Sequence, residues 1–143
     1  MTKEKEFNEG RAVNIVALAC HIVLAVILEA SYFLEVMKGA RTVPYYITFS
    51  ILALGPVIWE TLVFRNKPDS PHLKYYIGIF YSIFYIFVVF TTVSVIAFTF
   101  IIPIYMVIIL YSDFRLCAGV SCAGFVVNEI FLSIQGLEGH LGL

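Results

Sequence analysis

Tyr75–Ser112 reads YYIGIFYSIFYIFVVFTTVSVIAFTFIIPIYMVIILYS and contains no Asp, Glu, Lys or Arg. The run is about twice the roughly 20 apolar residues that carry a helix across a bilayer. A single straight helix of that length would hold apolar side chains in water, so two spans joined by a tight reversal fit better. The polar cluster inside the run, Thr91-Thr92-Val93-Ser94, marks the expected reversal. It divides the run into spans over Leu73–Phe90 and Val95–Tyr111. Pro103 falls in the second and is expected to kink it, because proline removes a helical donor and crowds the preceding turn.

The same reading extends outward. Upstream, Ala12–Met37 and Val43–Phe64 are each long and apolar enough to cross. The first ends at Lys38-Gly39-Ala40-Arg41. The second opens with Pro44 in its first turn, where a missing N–H costs nothing. Arg65-Asn66-Lys67-Pro68-Asp69-Ser70-Pro71 is a clear loop, with two prolines among polar turn residues. Downstream, Ser112-Asp113-Phe114-Arg115 forms a short turn before a fifth span over Leu116–Ile134. Its Gly119-x-x-x-Ala123 spacing matches a small-residue packing face. Residues 1–11 are read as a polar tail, 12–135 as the bundle and 136–143 as a second tail. The expected fold is all-α, a polytopic membrane helix bundle of five spans.

Composition agrees. Hydrophobic residues make up 61% of the 143 residues and charged residues 13%, against about 45–50% and about 25% in soluble domains. The net charge of −1 gives no basic footprint for nucleic acid. Three cysteines, Cys20, Cys117 and Cys122, lie in apolar stretches without metal or redox spacing; each reads as a small hydrophobe. The first apolar run is too long for the core of a cleaved signal peptide, so it is read as a retained helix. With the N-terminus inside, the inner segments carry seven of the nine basic residues, and Lys38 and Arg41 fall outside. The positive-inside rule therefore predicts a cytoplasmic N-terminus in a multi-pass cell-membrane protein.

Ionisable groups inside a bilayer are costly, which makes them the first candidates for function. Asn14, His21, Glu29 and Tyr32 form a polar stripe on the first helix, at spacings that keep them on one face. Asn128 and Glu129 on the fifth helix lie at a depth where they would meet Glu29 or Tyr32 across the bundle. Such a cluster would bind a ligand or a proton, histidine being the side chain that changes charge near neutral pH. The plainer reading is interhelical hydrogen bonding. Glu35 is expected at an interface, and Glu60 near the inner end of its helix, in a local ion pair with Arg65 or snorkelling. No phosphate loop, zinc-protease motif, nucleophile elbow or metal-ligand spacing occurs. No catalytic residue, cofactor or metal is assigned, and an enzyme is not expected. A small transporter or channel subunit is the alternative, although the unequal spans show no clear repeat.

Three stretches carry a family resemblance. They are His21–Leu28 followed by Tyr32–Thr42, then Tyr85–Thr92, and then Ile102-Pro103 followed by Tyr111–Cys117. In order and spacing they resemble the membrane region of clostridial-type methyl-accepting chemotaxis proteins. The resemblance implies a signal-transducing sensor module, in which membrane helices replace an extracellular ligand domain. In that family a further helix leads to a cytoplasmic coiled coil that controls a histidine kinase. No heptad-rich rod follows the fifth span here. The chain is thus expected to be the sensor half, with its C-terminal tail outside. The implied partners are the lipid bilayer, a second copy in a homodimer, and a chemotaxis signalling domain or kinase supplied by a longer or separate chain.

Overall fold

In lipid, backbone polar groups find no water, so a spanning chain must satisfy them internally as helices or closed barrels. The computed structural model describes residues 3–92 and 101–141, with side chains over 7–92 and 101–136. Among these residues all regular structure is helical. The helices are α1 (Lys3–Met37), α2 (Val43–Asn66), α3 (Leu73–Thr91), α4 (Ile101–Ile109) and α5 (Phe114–Leu141). Four of them, all but α4, are long and apolar enough to cross a membrane.

The chain runs up and down through the bundle. α1 continues back to Lys3, through what the sequence marked as a tail. Lys and Glu are good helix formers, so the charged head need not interrupt the helix. α5 likewise runs past the expected end of its span to Leu141. α3 ends at Thr91, and Thr92 turns extended at φ −111° and ψ 115°. Val93 and Ser94 of the expected reversal, and residues 95–100 of the expected fourth span, lie outside the described residues. Pro103 is the third residue of α4 as described. Residue 99, whose carbonyl the proline ring would crowd, also lies outside.

α1 and α2 form an antiparallel hairpin. Gly39 ends α1 at φ +72°, with Gly39 N–H donating to Val36 O and Ala40 N–H to Glu35 O, each at 2.9 Å. This is the Schellman arrangement, in which glycine takes the left-handed conformation without a Cβ penalty. α3 lies at the centre, packing against all four other helices. Its residues Leu73, Ile77, Tyr81, Phe84, Tyr85 and Val88 are buried. Tyr32 stacks on Phe49 at 4.0 Å between ring centroids, and Phe49 meets Phe84 edge-on at 5.2 Å. These rings join α1, α2 and α3.

The outside of the bundle is also apolar. Val23, Ile51, Ile58 and Met106 are 58–68% exposed. Large exposed apolar patches are untenable in water but ordinary against lipid tails. Lipid is as apolar as the core, so burial alone does not hold these helices together. Close packing and interhelical hydrogen bonds must do more of that work.

Candidate functional site

α1 turns its polar stripe inward. Asn14, His21 and Tyr32 are buried and Glu29 is half-buried. Each finds a separate partner at its own depth. Asn14 Nδ2 donates to the carbonyls of Pro68 at 2.9 Å and Ser70 at 3.1 Å, and Tyr111 donates to Asn14 Oδ1 at 3.0 Å. One amide therefore ties α1 to the α2–α3 loop and to the end of α4. The Ser70 carbonyl also accepts from Leu73 N–H at 3.4 Å, so the amide shares it with the first turn of α3.

Two turns further along α1, His21 Nδ1 lies 2.7 Å from Glu60 Oε2 on α2. His21 is 6% exposed and Glu60 is fully buried. The Tyr81 ring of α3 meets the imidazole edge-on, 5.8 Å between centroids. Glu60 Oε1 has no hydrogen-bond partner among the described residues. The expected local pairing of Glu60 with Arg65 does not form. Glu60 shares an inward face with Phe49 and Ala53, so its carboxylate points into the bundle.

Nearer the other end, Ser50 donates to Glu29 Oε2 at 2.8 Å. The hydroxyls of Tyr32 and Thr92 are 3.5 Å apart, a contact at the limit of hydrogen bonding. Arg41 donates to the Thr91 carbonyl at 3.0 Å, and Tyr45 meets the Thr91 hydroxyl at 3.0 Å. On the far side Tyr85 donates to Asn128 Oδ1 at 2.6 Å, joining α3 to α5. Glu129 is exposed. The six residues singled out from the sequence therefore do not converge. Asn128 turns to Tyr85 rather than to Glu29 or Tyr32, because α5 packs against α3 and α4 while α1 packs mainly against α2.

The partner that sequence reasoning missed is Glu60. The register of an antiparallel hairpin sets it opposite His21. His21 lies nineteen residues before Ala40, in the α1–α2 turn, and Glu60 lies twenty after it. Equal counts along two antiparallel helices reach equal depths, since each residue rises about 1.5 Å. Glu29 with Ser50 and Tyr32 with Phe49 obey the same register.

The His21–Glu60 site is closed. The void beside His21, bounded by Leu52, Pro56 and Tyr81, measures about 10 Å³. That is room for one water at most. A solute does not fit there, but a proton does. Neutral imidazole with a protonated carboxyl, and imidazolium with carboxylate, both leave the pair with zero net charge. They differ by one proton moved along the 2.7 Å contact. Adding or removing a proton leaves a net charge in an enclosed apolar site, where charge is costly. Among the described residues no group of three or more His, Cys, Asp or Glu is placed to hold a metal ion.

No protein-family model matches the chain, and neither a curated protein nor a solved structure matches it.

Proposed function

We propose that this chain is a membrane sensor module, of the kind its resemblance to chemoreceptor membrane regions implies, and that the His21–Glu60 pair is its responsive element. The observation that carries the reading is this buried pair on two adjacent helices. Its state of charge governs how α1 and α2 hold together, so a change in proton occupancy becomes a change in helix packing. Polar groups sit in separate pairs at different depths, with aromatic packing between them, rather than in one continuous file. That pattern favours a responsive bundle over a conduction path. The N-terminus is assigned to the cytoplasm of a cell-membrane protein on its basic residues.

The test joins the chain, through Ile134, to the further helix and signalling rod of a chemoreceptor. The fusion is expected to change the activity of the chemotaxis kinase, and His21→Leu is expected to shift that activity. A correctly inserted fusion with no effect on the kinase overturns the reading. The transporter or channel alternative draws on the buried carboxylates of Glu29 and Glu60. It requires ion or solute flux in liposomes that falls in Glu29→Gln or Glu60→Gln.

A further inference from the structure

α3 and α5 run in the same direction and meet where Gly78 faces Leu116 and Val120. A Cβ on Gly78 would lie 3.2 Å from the Leu116 side chain, so the two helices are close there. Beside this contact an open groove of about 560 Å³ lies between them. Gly78 and Ser82 on α3, with Gly119 and Ala123 on α5, form its floor and sides. Ser82 donates to the Gly78 carbonyl at 2.7 Å, so its hydroxyl is already satisfied and the wall behaves as apolar.

The groove has a length and a polar end. It extends along α3 from Tyr75 to Ile86, a rise of about 16 Å at 1.5 Å per residue. That is close to half of a roughly 30 Å hydrocarbon core, the depth of one leaflet. A transmembrane helix from another chain would need a groove about twice as deep. Arg115 and Tyr75 line the end nearest the α4–α5 turn. Arg115 is exposed, and its guanidinium makes no ion pair among the described residues. The neighbouring Lys74 is engaged with Asp113 at 2.6 Å. An apolar channel one leaflet deep, ending at a free guanidinium, matches an acyl chain below an anionic headgroup. Guanidinium binds phosphate oxygens through paired, charge-assisted hydrogen bonds. A second copy of the chain is a poorer match, because a two-fold contact through this face would set Arg115 against its own copy.

We propose that the α3–α5 groove binds an anionic phospholipid, with an acyl chain along Gly78, Ser82, Gly119 and Ala123 and the phosphate at Arg115. This site is separate from the His21–Glu60 pair and does not depend on the sensor reading.

The test is native mass spectrometry of the full chain in detergent, titrated with phosphatidylglycerol and phosphatidylcholine of identical acyl chains. Phosphatidylglycerol is expected to bind about fivefold more tightly, the preference that one basic residue confers. Arg115→Gln should remove that preference and leave phosphatidylcholine binding unchanged. A Cβ on Gly119 meets nothing within 4 Å, so Gly119→Leu should fill the groove and weaken both lipids several-fold without disturbing the helices. Ala123→Leu fills the same groove and carries the test should Gly119→Leu fail to fold. Equal affinity for the two lipids, or unchanged binding after the groove is filled, overturns the proposal. So does a dimer in the parent protein that Gly119→Leu dissociates, which would assign this face to a second copy.

Discussion

At the scale of single residues, the His21–Glu60 contact is asymmetric in what each side loses. Ordinary interhelical hydrogen bonds in membranes contribute about 0.6–2 kcal/mol. Breaking a buried ion pair by deleting one partner costs more, about 3–5 kcal/mol, because the remaining charge is stranded. His21→Leu leaves Glu60 fully buried without its partner, so it should destabilise the bundle by about 3–5 kcal/mol. Glu60→Gln keeps a hydrogen-bonding group beside the imidazole and should cost about 1 kcal/mol. The double substitution His21→Leu/Glu60→Leu should recover most of the loss. Unfolding of the parent, His21→Leu, Glu60→Leu and the double variant in mixed detergent micelles closes this cycle, and simple additivity would show that the two groups are not coupled.

The glycines make a second residue-scale contrast. The small-residue spacing on the fifth helix points to Gly119 and Ala123 as its packing face, but Gly119 faces open space. The glycine in close contact is Gly124, where an added Cβ would run into the Ile101 side chain of α4. Ile101 would have to leave its rotamer, at a cost of about 1 kcal/mol. At Gly124 that cost offsets the preference of alanine for helix, so Gly124→Ala should have a lower melting temperature than Gly119→Ala. Gly119→Ala should leave the melting temperature unchanged or raise it slightly, since alanine favours helix over glycine by about 1 kcal/mol.

At the scale of elements, the start of α5 is held by one carboxylate. Asp113 Oδ1 accepts from the backbone N–H groups of Arg115 at 3.0 Å and Leu116 at 3.2 Å, as an N-cap does. Its other oxygen takes the Lys74 ammonium from the start of α3. The Lys74 hydrogen bond and then the Leu116 N–H hold the Asp113 carboxyl below its ordinary range. A carboxyl depressed by folding stabilises the folded state above the ordinary aspartate pKa, about 3.9. That contribution falls away as the pH drops through the lower, folded value. The tether should be insensitive to pH between 5 and 8 and weaken only in stronger acid. Asp113→Ala should fray α5 and loosen it from α3, read as faster amide exchange at Arg115 and Leu116. The loss should be the same at pH 5 and pH 8.

At the scale of the whole molecule, the bundle presents apolar surface both inside and out, and apart from Glu29, Glu60 and Glu129 its charges gather at the ends. Reporter fusions after Lys67 and after Gly139 test the arrangement of spans across the membrane. With five crossings and a cytoplasmic N-terminus they should report inside and outside respectively. Reports from the same side would mean that α4 and the residues before it do not make a separate crossing.

The sequence by itself determined the helical class, the turns that separate α1 from α2 and α2 from α3 to within a few residues, and which face of α1 turns inward; it placed the start of α1 nine residues late and the end of α5 seven residues early. Those follow from local physics: backbone groups must be satisfied in lipid, prolines and glycines interrupt helices, and a 3.6-residue period assigns each side chain to a face. The α2–α3 loop around Pro68 and Pro71 and the turn at Gly39 were legible on those grounds. Only the tertiary structure decided which polar groups meet. A periodicity assigns a face but not a neighbour, and a uniformly apolar bundle contains little signal for the order of its helices. Glu60 looked like a helix-end charge near Arg65 until the hairpin brought it to the depth of His21. Asn128 looked like a partner for Glu29 until α5 packed on α3. The apolar helices read from the sequence thus became a bundle whose buried histidine–glutamate contact is placed by the register of two antiparallel helices.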